Sequence, residues 1–213
     1  LSNNFVGAEF GGHIRVAASK LVVHGVNDTD TMEERLPVFS EKEPLGHCRG
    51  SSCARGTTMT NGTALSGGSV FCSSARTPSA GVIMHSGTTI SSSLATGTSA
   101  GEQGGGAIKS ILCDIHLGGT ALLENTALSG NGGAVLLGNG GVLNATNRTM
   151  FKGNRASSGS GGALACDECK SVDLQEDTLF ENNVAKTHGG AVHIFDVGTQ
   201  TTHSSSSTFR GNT

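Results

Sequence analysis

Tryptophan and tyrosine are absent from this 213-residue chain, and eight Phe bring its aromatic content to only 4%. A core built on large rings, the usual source of buried area in a globular domain, is therefore excluded. Charge is scarce too: Asp, Glu, Lys and Arg make up 15% of the residues, against the usual ~25%, which excludes disorder driven by repulsion. Lys and Arg are scattered singly from Arg15 to Arg210 and the net charge is −3. No basic stripe exists to neutralise phosphates, so nucleic acid is not expected as a partner. No apolar run nears the ~18 residues of a membrane span. Leu1-Ser-Asn-Asn-Phe5 is neither a charged leader nor an apolar signal core, so any targeting segment is expected outside this chain.

What is abundant is small: 33 Gly, 25 Ser and 22 Thr. Such a chain packs small side chains repeatedly at short distances, and the repeat is legible. Leu122-Leu-Glu-Asn125, Phe151-Lys-Gly-Asn154, Phe180-Glu-Asn-Asn183 and Phe209-Arg-Gly-Asn212 follow one another at intervals of 29 residues. A hydroxyl (Thr120, Thr149, Thr178, Ser207) sits two residues before each. Nine or ten residues after the first three comes a diglycine: Gly132-Gly-Ala-Val135, Gly161-Gly-Ala-Leu164 and Gly189-Gly-Ala-Val192. Gly105-Gly-Ala-Ile108 joins the series upstream, with Gly67-Gly-Ser-Val70 and Gly11-Gly-His-Ile14 as weaker members.

A unit of this length is a helical hairpin, a leucine-rich repeat or one rung of a β-solenoid. Several Gly per unit and little Leu, Glu or Lys disfavour helices. The leucine-rich spacing is absent. Short stretches of β-branched and small residues between Gly and Asn turns read as strands of three to five residues, such as Ala134–Leu137 and Ala191–Ile194. The expected fold is all-β: a right-handed, single-stranded parallel β-helix of about six coils, roughly 30 Å long, with one inserted loop.

Coils stacked ~4.8 Å apart set equivalent side chains in columns. Phe151, Phe180 and Phe209 are expected to stack inside, with Leu122 as the smaller end of that column. Asn125, Asn154, Asn183 and Asn212 are expected to form an amide ladder that satisfies turn backbone groups from within. The glycine pairs permit φ > 0 and close approach of neighbouring turns. Ile108, Val135, Leu164 and Val192 are expected to point inward, as are Ser110, Leu137, Cys166 and Ile194; Lys109, Leu136, Ala165 and His193 are expected to face out.

The paired G-G-A-[ILV] and F-x-x-N motifs, specific from Gly105 to Asn212, resemble the repeats of chlamydial polymorphic outer membrane proteins. Those are autotransporter-type surface adhesins with a β-helical passenger. The resemblance implies a β-helix on a cell surface and a link to adhesion. Leu122-Leu-Glu-Asn125 departs from the motif at its first position.

The chain, residues 1–213, is expected to be a single β-helix segment of something longer. Leu1-Ser-Asn-Asn4 precedes Gly11-Gly12 as Phe151-Lys-Gly-Asn154 precedes Gly161-Gly162, so the chain begins and ends at one phase of the repeat. Self-association end to end, in a filament or long rod, or stacking on neighbouring segments of the same chain, is the expected interaction. Residues 33–57 turn charged, hold Pro37, Pro44, Cys48 and Cys53, and read as a loop inserted in an early coil. The six Cys suit three disulfides in an oxidising compartment, paired Cys48–Cys53, Cys72–Cys113 and Cys166–Cys169. Aligned on the diglycines, Cys113 and Cys169 fall in one column two coils apart, too far to bond. Four glycosylation sequons begin at Asn27, Asn61, Asn144 and Asn147, none of them a ladder residue.

Chemistry is sparse by comparison. Only seven Asp occur, and Asp114 and Asp173 fall in different columns, so no paired acids converge for hydrolysis and no calcium cluster for lyase chemistry. Gly101-Glu-Gln-Gly-Gly-Gly106 lacks the Lys-Ser/Thr ending of a phosphate loop. No catalytic residue, metal site or cofactor is therefore expected. The leading expectation is a non-enzymatic extracellular structural or adhesive β-solenoid, with cell-surface or glycan partners. An adhesin passenger of a bacterial autotransporter is the first alternative, and a polysaccharide-degrading enzyme the second.

Overall fold

A computed structural model describes residues 14–17, 20–23, 57–73, 81–99, 103–195 and 201–213. Every regular element among them is a short strand. The first coil holds β1 (Ile14–Ala17), β2 (Lys20–Val23), β3 (Thr58–Thr60) and β4 (Thr63–Ala64). The second holds β5 (Val70–Ser73), β6 (Gly81–Met84), β7 (Thr89–Ser91) and β8 (Leu94–Ala95). β9 (Ile108–Ile111), β10 (Asp114–Gly118), β11 (Ala121–Leu123) and β12 (Thr126–Ala127) make the third. The fourth consists of β13 (Val135–Gly138), β14 (Val142–Thr146), β15 (Met150–Lys152) and β16 (Arg155–Ala156). Next come β17 (Leu164–Asp167), β18 (Ser171–Leu174), β19 (Leu179–Glu181) and β20 (Val184–Ala185). A sixth coil contributes β21 (Val192–Phe195), β22 (Thr201–Ser204) and β23 (Thr208–Arg210).

Strands in the same place on successive coils pair in parallel. This gives three six-stranded sheets and a narrow five-stranded fourth, the architecture of a parallel β-helix. β2 and β3 are separated in sequence by the stretch between Val23 and Thr58. Of the loop expected at 33–57, all but Thr57 lies outside the described residues, as do Cys48, Cys53, Asn27 and the Gly11-Gly12 pair.

The core is a stack of aliphatic columns. Val70, Ile108, Val135 and Leu164 are fully buried on the first sheet, and Val82, Ile115, Leu143 and Val172 on the second. On the third sheet the register sets Phe209, Phe180, Phe151 and Leu122 on Ile90 and Met59. The Phe column therefore runs on past Leu122 through two residues whose intervals, 32 and 31, break the repeat of 29.

One expectation needs correcting. Lys109, Leu136 and Ala165 point away from the lumen, as strand alternation requires, yet they are 4%, 9% and 0% exposed. The diglycine turn that precedes each strand folds back over its outer face. A Cβ on Gly104 would meet Leu136 Cδ2, and one on Gly105 or Gly161 would lie 3.0 Å from the Cβ of Lys109 or Ala165. Lys109 Nζ donates to Ser66 Oγ at 3.2 Å and to the Gln103 carbonyl at 2.9 Å beneath this roof. The roof turns also bond to one another from coil to coil, Gly105 N to Asn131 O, Gly132 N to Ser160 O and Gly161 N to His188 O.

The two glycines of each pair do different work. Gly67, Gly105, Gly132, Gly161 and Gly189 all have φ between 57° and 71°. Their partners allow close approach: a Cβ on Gly133 would lie 2.5 Å from the Arg155 backbone and closer still to the Gly162 carbonyl.

Candidate functional surface

The predicted ladder residues are brought together. Phe151 and Phe180 stack with ring centroids 4.6 Å apart, and Phe180 and Phe209 at 4.8 Å. Phe151 and Phe180 are fully buried, while Phe209, in the sixth coil, is 49% exposed. Asn125, Asn154 and Asn183 are fully buried, and the side chains of Asn154 and Asn183 meet their whole hydrogen-bonding capacity. Asn154 Nδ2 donates to Asn183 Oδ1 and to the Leu122 carbonyl, both at 3.0 Å. Its Oδ1 accepts from the Asn125 backbone N–H and from Asn125 Nδ2, again at 3.0 Å. Asn183 repeats the pattern with Asn212 and the Phe151 carbonyl. Ser93 N–H caps the row by donating to Asn125 Oδ1.

The residue before each ladder position is left-handed: Asn61, Ser92, Glu124, Gly153, Asn182 and Gly211 have φ of 52–66°. That conformation swings the next side chain inward. Sequence reasoning missed it, because four of the six are not glycine.

Two disulfides join buried cysteines as expected, Cys72–Cys113 and Cys166–Cys169. The column assignment behind them is corrected. Ile108 to Asp114 is one step shorter than Val135 to Val142 or Leu164 to Ser171, so Cys113 stands level with Gly141 and Lys170, not with Cys169. Cys72 is set in the second coil on the column of Ser110, Leu137 and Cys166. Of the described sequons, Asn61 and Asn147 are exposed at left-handed turns and Asn144 is half-buried on β14.

The outer face of the second sheet is where polar side chains gather. Its register sets Ile83, His116, Asn144, Asp173 and His203 in one outward column. His203 Nδ1 lies 3.1 Å from Asp173 Oδ1, and Gln175 Nε2 donates to Asp173 Oδ2 at 2.7 Å. The turn to the third sheet spans five steps from Met84 to Thr89 and from Ala145 to Met150, but four from Leu117 to Ala121. Side chains above and below this short turn therefore meet across it, Asn147 Nδ2 donating to Ser86 Oγ at 2.8 Å. Gly119 permits this; a Cβ there would lie 2.7 Å from Ser86 Oγ. Beside the bridge lies a groove of about 350 Å³ walled by His85, Ser86, His116, Asn144, Thr146 and Asn147.

The charged groups serve the stack. Glu181 on β19 accepts from Lys152 at 3.0 Å and from Arg210 at 2.9 Å in the adjacent coils. The Lys152 hydrogen bond, aided by Arg210, holds its carboxyl below the usual carboxylate range. On the first sheet His188, in the roof turn, stacks on His193 at 5.5 Å, and His193 on Phe195 at 5.1 Å. Burial, with the His188 charge, pulls His193 below the ordinary histidine range. Asp114 and Asp173 fall in different columns, as expected. Among the described residues no three His, Cys, Asp or Glu converge as metal ligands, and no helix is long and apolar enough to cross a membrane. Compared with family models, curated proteins and solved structures, the chain matches none.

Proposed function

We propose that this β-solenoid is a non-enzymatic structural and adhesive scaffold on the outside of a cell, akin to the polymorphic outer membrane protein type of repeat. One observation carries the reading: the motif residues that recur along the sequence are spent on coil-to-coil bonding. The asparagines saturate one another, the phenylalanines stack on one another, and the glycines roof the first sheet. What repeats is a means of building length, and variable outward residues are left to make contacts. The two disulfides point to a non-cytoplasmic setting. A glycan on Asn61, which is exposed, fits the same location.

The partner proposed is a further coil on β23, from a neighbouring segment of the same chain or from another copy. Phe209 and Asn212 offer it the ring and amide that Phe180 and Asn183 offer them. Electron microscopy and light scattering across a concentration series test this, expecting rods that lengthen with concentration. Compact particles of constant mass, together with no binding to cell surfaces, would overturn the reading.

A further inference from the structure

We infer that the groove beside the Ser86–Asn147 bridge binds a neutral, hydroxyl-rich ligand, a short saccharide. The inference rests on the adhesive reading above and supplies the contact chemistry that reading leaves open.

An unsatisfied polar atom marks the place. Among the described residues four buried side-chain atoms lack a hydrogen-bond partner within the protein: Thr88 Oγ1, Thr120 Oγ1, Asn144 Oδ1 and His193 Nδ1. One of the four belongs to the groove itself. Asn144 walls the groove. Thr88 and Thr120 end the two adjacent turns, each directly after a glycine, but both are fully buried and lie outside the groove wall. The equivalent hydroxyls one and two coils on are satisfied, with Thr149 Oγ1 2.9 Å from the Leu117 carbonyl and Thr178 Oγ1 2.7 Å from the Gln175 carbonyl. The hydroxyl row is therefore interrupted in the second and third coils. A buried polar atom left unpaired costs ~1–3 kcal/mol, so the unpaired Asn144 oxygen in the groove wall is the atom a ligand would satisfy.

Charge selects the class of ligand. The groove wall contains no Lys, Arg, Asp or Glu, so neither an anion nor a hard cation finds a counter-charge there. It offers amide, hydroxyl and imidazole groups beside Ile83, which suits a ligand carrying both hydroxyls and C–H faces. The imidazoles of His85 and His116 give flat surfaces in a chain that has no Trp or Tyr. A rotation of the Asn144 amide turns its unpaired Oδ1 toward a ligand hydroxyl. A volume of about 350 Å³ lies at the small end of ligand sites, which suits one or two sugar rings rather than a long chain.

The test uses the whole chain made in a host without N-glycosylation, probed with chitotriose, cellotriose, maltotriose and mannotriose. A heparin tetrasaccharide serves as the anionic comparison. Saturation-transfer NMR is expected to show binding to at least one neutral trisaccharide, weakened roughly tenfold or more by His116→Ala and by Asn144→Ala. Lys152→Ala, on the third sheet, is expected to leave binding unchanged. Imidazole shifts of His85 and His116 in the unaltered protein give a reading that needs no variant to fold. No transfer from any neutral trisaccharide, binding retained in both groove variants, or a preference for heparin would each overturn the inference. So would a glycan attached to Asn144 in protein from a glycosylating host. Rod formation is measured separately, so failure of sugar binding in chains that still form rods sinks the groove and spares the scaffold.

Discussion

Asn154→Ala is the most direct trial of the amide ladder. The substitution removes four hydrogen bonds, two donated by Nδ2 and two accepted by Oδ1. The backbone is unmoved, so Asn154 N–H still reaches Asn183 Oδ1. Stranded without water are the Asn125 N–H and one Asn125 amide proton, because Asn125 is fully buried; the Leu122 carbonyl keeps its partner in the strand ladder. At ~1–3 kcal/mol for each of the two stranded groups, a loss of roughly 2–6 kcal/mol follows. For a chain of this size that lowers Tm by on the order of 10 °C. Asn154→Asp keeps shape and both acceptances but turns an acceptor toward the Leu122 carbonyl and Asn183 Oδ1, so it is expected to be no better tolerated. Asn212→Ala strands the Asn183 donors where Asn212 is only half-buried and water can replace them, and is expected to cost about 1 kcal/mol. Circular-dichroism melts and urea titrations of the three variants measure this order. Asn154→Ala within ~1 kcal/mol of the parent, or no worse than Asn212→Ala, would refute the reasoning.

Three further outcomes are expected. Gly133→Ala, whose Cβ would press into the Arg155 and Gly162 backbones, is expected to abolish folding or cost several-fold more than Gly153→Ala, which meets nothing nearer than Glu124 Cγ at 3.4 Å and pays ~1–2 kcal/mol for its left-handed φ. Equal melting temperatures would contradict the division of labour within the glycine pairs. Replacing Cys72 and Cys113 by Ser is expected to cost about 4 kcal/mol, and Cys166 with Cys169 about 2, since the loops closed have sequence separations of 41 and 3; denaturation of both double variants checks the order. His193 takes up a proton less readily folded than unfolded, so its packing contributes fully above the ordinary value of 6.5 and is lost as pH falls below it. The roof turn's His188 and the neighbouring Phe195 stack on this ring. His188→Ala is expected to flatten the fall in melting temperature between pH 7.5 and 5, and an unchanged slope would exclude the pair as its cause.

The intervals of 29 residues made the third sheet legible, because Phe and Asn there have no role except to meet their own kind. The same arithmetic overlooked Met59 and Ile90, since longer turns in the early coils break the count while the column continues. Alternation placed Lys109, Leu136 and Ala165 on the outer side correctly but said nothing of what covers that side. A roof formed by the turn itself leaves no periodic trace, only glycines that also answer to φ. The left-handed position escaped for the opposite reason: Glu124, Asn182 and Ser92 share a backbone conformation and no side-chain chemistry. The groove was illegible because it arises from one residue missing between Leu117 and Ala121, which becomes visible only against neighbouring coils.

The amide ladder also gives the rod an electrical direction. Asn125 donates to Asn154, Asn154 to Asn183 and Asn183 to Asn212, always toward the sixth coil. The main-chain groups of a β-sheet alternate in direction and nearly cancel, leaving little net dipole. The side-chain amides all point one way and do not cancel. They form a thread of aligned dipoles along the axis, each polarising the next, with positive N–H character directed toward the sixth coil and carbonyl character toward the first. A coil joining on the sixth-coil side is therefore received best with its amide oxygen facing the thread. Under the stacking proposed above, growth would be vectorial: reversing an incoming coil would set donor against donor.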